Sequence, residues 1–240
     1  MRRAPRKEKG NSELMLKIDM HVHTWHSDSK ASVDDVLRVA KLKGLDGVAI
    51  TDHNTLVGAL EAERKRGDLI VVPGEEVSTV HGEIIALGIR RVVPKGLPIT
   101  EAIRRVHSQG GLVVIPHPTV PFIGGLKEKT LKKLSIDGIE VFSAITPLPG
   151  YHFKKNLKLA RSLGLPMLAG SDSHFPETVG DAYTIVYSEG RSVKEILDAV
   201  RRGRTKVGCR PSGWIFKAKM LRGFLASLPS ALIHRKPLTL

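Results

Sequence analysis

Short segments rich in aliphatic and β-branched residues alternate along this chain with longer segments in which apolar residues recur every three or four positions. The short segments predict β-strands and the longer ones amphipathic helices, because side chains alternate across a strand but return to one helix face after three or four residues. Such alternation is typical of α/β proteins with a parallel sheet. Predicted strands span 17–23, 47–51, 69–73, 83–88, 111–116, 138–143, 166–170 and 182–187.

Helix signals lie between the predicted strands. Serine caps at Ser32 and Ser192 and a terminal glycine at Gly164 are typical of helix ends. The predicted helices span 32–44, 98–111, 151–164 and 192–204. Repeated βα units over the whole body predict one TIM-like α/β barrel rather than two domains.

The predicted barrel covers residues 15–210, between a basic disordered tail at 1–14 and a basic amphipathic helical extension at 211–240. We expect the extension to pack over the bottom of the barrel; attachment to nucleic acid or to an anionic membrane surface is the alternative. Its apolar side chains are Trp214, Met220, Leu221, Phe224, Leu225 and Leu228.

The composition, 41% hydrophobic in 240 residues, is that of an ordinary soluble core. No apolar run reaches the roughly 18 residues of a transmembrane segment, and the basic N-terminus is not followed by the apolar stretch of a secretory signal. The single cysteine, Cys209, has no partner for an internal disulfide. These features predict a cytoplasmic protein.

The net charge of +14 comes entirely from the two ends. Residues 1–10 carry five basic groups and one acidic group, and residues 201–240 carry ten basic groups and no acidic one. The body is therefore neutral, which argues against a cationic groove through the main domain. Nucleic acid remains a possible partner through the basic tails.

Polar side chains gather where each predicted strand gives way to a loop, and the carboxyl ends of parallel strands meet at one face of a barrel. Side-chain alternation predicts that Asp19, His21 and His23 share one face of the first strand, and the same spacing joins Asp172 to His174. The side chains expected to converge are Asp19, His21, His23, Asp52, His53, Glu76, His117, Asp172 and His174, whereas Glu75 at the same strand end is expected to point away from Glu76 and to have a structural role.

Imidazole and carboxylate groups at this spacing are ligands for divalent metal ions. Four ligands complete a tetrahedral site, so about eight candidates indicate two or three ions with bridging carboxylates. Mixed nitrogen and oxygen donors fit zinc, manganese or iron. Clustered ions favour hydrolysis of a phosphate ester, because they generate hydroxide and neutralise the charge that develops on the phosphoryl group.

The segments DMHVHTWHSDS, AITDHNT, PGEEVS, IPHP and GSDSH occur here in the order and approximate spacing of the PHP (polymerase and histidinol phosphatase) domain. The chain resembles this family from Ile18 to about Gly208. The resemblance implies a distorted (β/α)7 barrel of PHP type, a trinuclear metal site and phosphoesterase activity. The ligands it implies are His21, His23, Asp28, His53, Glu76, His117, Asp172 and His174.

Glu76 is expected to bridge to an ion that His117 also binds. Many family members have a histidine shortly after the bridging glutamate, but this chain has Glu83 at that place and His81 two residues earlier. Either residue could be a ligand, or neither, so two ions remain an alternative to three. Some family members also have a basic residue after the HP motif that can hold phosphate; this chain has none there, which leaves Lys95, Lys154 and Lys155 as candidates.

The predicted function is a metal-dependent phosphoric ester hydrolase that acts on a phosphomonoester or small nucleotide through a metal-bound hydroxide. Asp52, His53 and His174 are the candidates for proton transfer, and Asp19 and Asp52 could instead orient the ligand histidines. Three alternatives stay open: a nuclease assisted by the basic tails, an amidohydrolase-type barrel, and a non-catalytic barrel that binds RNA or protein. The amidohydrolase alternative calls for a carboxylated lysine at a strand end, and no predicted core strand ends convincingly in lysine.

Overall fold

The computed structural model describes residues 13–120 and 126–227. The described strands are β1 Leu14–Val22, β2 Gly47–Ile50, β3 Ile70–Thr79, β4 Gly82–Leu87, β5 Leu112–Ile115, β6 Gly138–Ser143, β7 Met167–Gly170, β8 Ala182–Ser188 and β9 Thr205–Cys209. The described helices are α1 Val33–Leu42, α2 Val57–Lys65, α3 Ile99–His107, α4 Glu128–Leu131, α5 Pro149–Leu163, α6 Val193–Arg201 and α7 Trp214–Ser227. All eight predicted strands and all four predicted helices are present, whereas β9, α2 and α4 were not predicted.

The strands form one sheet in the order β7-β6-β5-β4-β3-β2-β1-β8-β9. β1 to β3 run parallel, and so do β5 to β7. β4 is antiparallel to both of its neighbours, and β8 and β9 extend the sheet beyond β1 in antiparallel pairing. The sheet is therefore mixed, whereas the alternation of strands and helices predicted a parallel one.

The barrel is nearly closed where the end of β7 meets the end of β1. A parallel bridge joins Val22 to Ser173, and the backbone N–H of His23 donates to the carbonyl of Ser173 at 3.1 Å. The N–H of Asp172 donates to the carbonyl of His21 at 2.8 Å. These bonds bring the last residues of two distant strands side by side, as the predicted distorted α/β barrel requires.

A bulge in β1 decides which of its side chains point to the inside of the barrel. The pairing of β1 with β2 shifts register between Asp19 and Val22. Ile18 and Met20 pack in a core cluster with alternate residues of the other strands and with α6, yet His21 also points inward. The prediction that Asp19 shares one face with His21 and His23 is wrong, because a bulge re-aims the side chains that follow it.

Asp19 instead fastens β1 to the loops beyond it. Its Oδ1 accepts the N–H of Ser171 at 2.8 Å, and its Oδ2 accepts the N–H of Gly180 at 2.8 Å. Asp19 thus contacts backbone amides and, in the described structure, no imidazole ring, so it does not have the predicted role of orienting a ligand histidine. Burial raises the pKa of this carboxyl to about 6 against these hydrogen bonds.

α7 begins inside the predicted C-terminal extension but does not pack over the bottom of the barrel. Ser212 N donates to Ala144 O at 3.0 Å, and Lys217 Nζ donates to Thr146 O at 2.8 Å. Both carbonyls lie in the loop after β6, at the metal-site face. Within the described residues, no helix is long and apolar enough to cross a membrane. Residues 1–12 of the predicted tail at 1–14, Leu228, and the side chains of Leu221, Phe224 and Leu225 lie outside the described part of the chain, whereas Leu14 begins β1.

Candidate metal centre

β3 carries two consecutive glutamates whose side chains go to opposite sides. The strand continues through Glu75 and Glu76 to Thr79, so these residues lie within the strand and not, as expected, at its end. Glu76 turns inward to the histidines, while Oε1 of Glu75 accepts the N–H of Val93 at 2.5 Å. Strand alternation explains this separation, which the sequence predicted for Glu75.

Four donor atoms from β1, β3 and the end of β7 form the innermost group. Nε2 of His21 lies 3.0 Å from Nε2 of His23 and 3.2 Å from Oε2 of Glu76. Oδ1 of Asp172 lies 3.5 Å from the first nitrogen and 3.3 Å from the second, and Oε2 of Glu76 lies 3.3 Å from the second. A tetrahedral site with bonds of about 2.1 Å has ligands about 3.4 Å apart, so these separations suit one divalent ion.

A second group lies nearer to solvent. Oδ2 of Asp28 is 3.2 Å from Nε2 of His174 and 3.7 Å from Nε2 of His53, and its Oδ1 is 3.9 Å from Nδ1 of His23. The side chain of Asp28 is 53% exposed and that of His53 is 29% exposed, whereas His23 is fully buried. This group is therefore the one that an incoming molecule meets first.

Glu76 joins these groups to a third. Its Oε2 lies 3.4 Å from Nδ1 of His53, and its Oε1 lies 3.2 Å from Nε2 of His117. Oε1 of Glu83 is 3.8 Å from the same nitrogen of His53. One carboxylate thus faces imidazoles on both sides, which is the arrangement of a bridging ligand.

The carboxylates and imidazoles strongly shift one another's pKa values. Burial lowers the pKa of His23 and of His117, but Asp172 and Glu76 outweigh it and raise these values to about 10 and about 9. Burial raises the pKa of Glu76, but the surrounding histidines outweigh it and hold the pKa well below its usual range. Burial, followed by the charge of Glu76, raises the pKa of Glu83 to about 7. Negative charge at the centre therefore holds cations, which are protons when no metal is bound.

Two unpartnered buried atoms test whether the residues fit a metal. Among the described side chains, Nδ1 of His23 and Nδ1 of His117 are buried without a hydrogen-bond partner, although buried polar atoms are normally paired. His21 and His23 also present ring nitrogens to each other at 3.0 Å. Convergent imidazoles with uncommitted nitrogens and flanking carboxylates fit divalent ions, and three groups of such ligands meet here.

Glu140 supports the cluster from β6. Its Oε1 lies 3.0 Å from Nδ1 of His21, and its Oε2 accepts the backbone N–H of His117 at 2.9 Å. At the end of the same strand, Ser143 Oγ donates to Oδ2 of Asp172 at 3.2 Å. Neither Glu140 nor Ser143 belongs to a motif that singles it out in the sequence, so both supporting roles emerge only from the fold.

The backbone is strained at two cluster residues. Asp172 has φ +53° and His117 has φ +30°, a region that L-residues seldom occupy. Each of these residues follows a strand end, and the unusual conformation turns its side chain into the barrel mouth. Strain of this kind persists where surrounding contacts hold it, and it clusters at functional sites.

Two predicted candidates, Asp52 and His81, lie outside the cluster, and so does His26. Asp52 accepts from Thr24 N at 2.6 Å and from Thr24 Oγ1 at 2.7 Å, and so holds the loop that carries Asp28. These contacts give no support to a role for Asp52 in proton transfer. His26 Nε2 pairs with Glu61 on α2 at 2.7 Å. His81 is exposed in the β3–β4 turn, where its Nδ1 accepts the N–H of Ile99, so the structure does not bring it to the ligands.

Comparisons with known proteins agree with this geometry. The chain matches the PHP domain over residues 19–89 and the PHP-associated family over residues 150–205. An uncharacterized protein of Methanocaldococcus jannaschii is 40% identical over 142 residues, which cover 54% of this chain and 82% of the relative. Phosphoribosyl 1,2-cyclic phosphate 1,2-diphosphodiesterase of Eggerthella lenta is 35% identical over 85 residues, 32% of each chain.

The fold is shared with solved structures. A two-domain protein of Bacteroides vulgatus, described as containing a predicted PHP-like metal-dependent phosphoesterase, superimposes with a TM-score of 0.72 at 19% identity. The superposition covers 88% of this chain and 69% of that chain. At this level of identity the likeness concerns the barrel architecture alone.

Proposed function

The chain belongs to the PHP family of metal-dependent hydrolases, and from that premise we propose that it hydrolyses a phosphate ester of a small molecule or nucleotide at a cluster of two or three divalent ions. The observation that carries this proposal is the pair of contacts made by Glu76. Its two oxygens face imidazoles from different strands, at 3.2 Å on each side. Adjacent ions sharing a carboxylate suit phosphoryl transfer, which needs both the attacking and the leaving oxygen stabilised.

In this proposal the innermost group, formed by His21, His23, Glu76 and Asp172, holds its ion most firmly. His21, His23 and Glu76 are almost fully buried, so they present fixed donors and keep bulk water away from one side of the ion. Bound ions supply Lewis-acid polarisation of the phosphoryl group and acidify a water molecule. The chain itself supplies the rigid spacing of the ligands, which sets where a phosphoryl group is held.

The second group, which lies nearer to solvent and includes Asp28, His53 and His174, faces the substrate. His53 is the partly exposed imidazole, and burial followed by the positive charge of His23 outweighs its carboxylate neighbours and lowers its pKa. A neutral ring is the form that binds metal or accepts a proton. Glu83, whose pKa is raised to about 7, lies 3.8 Å from Nδ1 of His53 and could hold a proton at Oε1. His53 and His174 therefore remain candidates at the reacting end, as ligands or proton carriers.

The alternatives receive different support. The relative from Eggerthella lenta carries a name that describes cleavage of a phosphodiester in a small cyclic phosphate, which favours phosphoester chemistry over amide hydrolysis. In the described residues, the ion pairs of Glu76, Asp172 and Asp28 all go to histidine, with no lysine among them. A non-catalytic binding barrel would not need so complete a ligand set.

Elemental analysis combined with a panel of phosphate esters tests the proposal. We expect the purified protein to contain two or three equivalents of zinc, manganese or iron, to lose hydrolysis after EDTA, and to regain it with Mn²⁺ or Zn²⁺. His53→Ala and Asp172→Asn should each lower kcat about a hundredfold or more. His107→Ala is the matched control, because His107 pairs with Asp137 at 2.8 Å on the outer side of the barrel. Full activity in EDTA, or hydrolysis of amides and not of phosphate esters, would contradict the proposal.

A further inference from the structure

α7 is anchored beside the metal centre through loops that follow two barrel strands. Ser212, just before α7, bonds to Ala144, and Lys217 bonds to Thr146. In addition, Phe216 packs on Phe175 with ring centroids 5.5 Å apart. Phe175 directly follows His174. Two helices of the described chain, α5 and α7, carry several basic residues and no acidic one, and α7 borders the site although the body of the protein is neutral.

The free side of α7 mixes aromatic and cationic groups. Trp214 is 77% exposed, Ile215 is 51% exposed, and Lys219 and Arg222 are exposed one and two turns later. The Nζ of Lys219 lies 5.5 Å from the ring centroid of Phe175 and 5.4 Å from that of Phe216. A helix that lies in a membrane surface separates its apolar and charged faces, and these side chains are not separated.

The loops across the same end of the barrel add two more exposed rings. Trp25, 61% exposed, lies in the loop that carries His23 and Asp28. Tyr151, 54% exposed, lies in the first turn of α5, and Nζ of Lys155 is 4.4 Å from its ring centroid. Rings spaced around a phosphoester site, each near a cation or a ligand loop, match the chemistry of a chain of bases joined by phosphates.

We propose that the mouth of the barrel binds single-stranded nucleic acid and holds one of its phosphodiesters at the metal centre. We call the residues involved the aromatic rim: Trp25, Tyr151, Phe175, Trp214, Lys219 and Arg222. The exposed rings stack on unpaired bases, and the cations contact the phosphates. The inference rests on the proposed function, because the centre adds water across a P–O bond: the water oxygen bonds to phosphorus, and the departing ester oxygen leaves as a protonated hydroxyl.

Single strands suit this surface better than duplexes because their bases are free to stack on separated rings. The rim also gives a function to part of the positive charge at the C-terminal end of a protein whose body is neutral. A mononucleotide would engage one ring at most and would leave Lys219 and Arg222 without a phosphate.

Fluorescence anisotropy of metal-loaded protein tests the inference. The probe is a labelled phosphorothioate oligothymidylate of about 20 nucleotides, which resists hydrolysis, titrated over a range of salt concentrations. Lys219→Gln with Arg222→Gln should weaken binding about tenfold at low salt and reduce the slope of log K against log salt by about 1.4, because about 0.7 is lost for each phosphate contact. Trp214→Ala should weaken binding with little change in that slope.

The matched control is Lys41→Gln with Lys194→Gln. Both lysines are exposed at the opposite end of the barrel, since α1 ends there and α6 follows the end of β8, which pairs with the start of β1. The control pair should bind as the wild type does. Equal effects of both pairs, or no oligonucleotide binding by the wild type, would overturn the inference even if small phosphate esters are hydrolysed.

A second arm separates the inference from the proposed function and from a membrane role. Binding that depends on Lys219 and Arg222 in a protein that hydrolyses no phosphate ester would sustain the nucleic-acid surface and defeat the proposed function. Binding to phosphatidylserine vesicles that depends on the same two residues, without oligonucleotide binding, would show that the rim contacts membrane and overturn the inference.

Discussion

Oε1 of Glu140 lies 3.0 Å from Nδ1 of His21, while Oε2 of the same carboxylate accepts the N–H of His117 at 2.9 Å. One buried side chain thus orients a ligand of the innermost group and the loop that carries a ligand of the third group. We expect Glu140→Gln to lower metal affinity about 10- to 100-fold, because a carboxamide cannot make both contacts as an acceptor. Competition with a fluorescent chelator measures the affinity.

Asp137→Asn is the control, since Asp137 lies just before β6 and pairs with His107 at 2.8 Å, away from the cluster. If both variants bind metal like the wild type, Glu140 has no positioning role.

Substitutions of Glu83 and of His81 are expected to affect the metal content differently. Glu83 reaches the cluster, whereas His81 is exposed at the turn. Glu83→Gln should reduce the metal content by about one ion per chain, because a carboxamide is a weaker ligand than a carboxylate. His81→Ala should leave the content unchanged. Elemental analysis after equal dialysis compares them, and a loss confined to His81→Ala would reverse the assignment.

Gly170 leaves no room for a side chain next to His21. A Cβ on Gly170 would lie within 2.6 Å of the His21 backbone nitrogen, where the end of β7 packs against β1. Gly170→Ala should therefore cost about 1–3 kcal/mol in the free energy of unfolding and weaken metal binding. Gly150→Ala is the matched control, since nothing lies within 4 Å of its Cβ position and its φ is not positive. Urea denaturation and metal titration of the two variants give the answer, and equal stabilities would refute the steric argument.

Glu75 makes stability depend on pH. Burial raises its pKa from 4.5 to about 7, against the hydrogen bond from Val93. The protonated carboxyl makes its full contribution to the free energy of unfolding below about pH 4.5. This contribution is lost as the pH rises through about 7, because between these two values Glu75 ionises in the unfolded chain but stays protonated in the folded protein. The gain in unfolding free energy from Glu75→Gln should therefore grow by about 2 kcal/mol between about pH 5.5 and about pH 8.5.

Urea denaturation of wild type and Glu75→Gln at both pH values measures this difference. A gain that does not change with pH would mean that Glu75 ionises normally in the folded protein.

Much of the barrel was predictable because its strands bury continuous apolar segments and its helices carry serine caps. Ser32 and Ser192 both form capping boxes with an acid three residues later. β9 was missed because its residues are only partly buried, so Thr205–Cys209 shows no apolar run. The full length of β3 was missed because two glutamates in a buried strand are unfavourable until the imidazoles that surround Glu76 are known.

At the site, residue type and order predicted which histidines and carboxylates would meet, since strand ends share one face of a barrel. Tertiary contacts decided the rest. The bulge in β1 brought His21 onto the inward face that Ile18 and Met20 share, which leaves Asp19 away from the ligands, and the hydroxyl of Thr24 engaged Asp52. The position of α7 depends on bonds to Ala144 and Thr146, for which no local sequence pattern exists.

The seam that closes the barrel also sets the order of events during folding. Ser171 and His21 meet there although 150 residues separate them, and loop closure over such a distance is entropically costly and slow. Asp172 reaches the inner histidines only across this seam. The innermost group of ligands is therefore complete only when the first and seventh strands have joined. The rate of metal uptake during refolding consequently reports the rate at which the barrel closes.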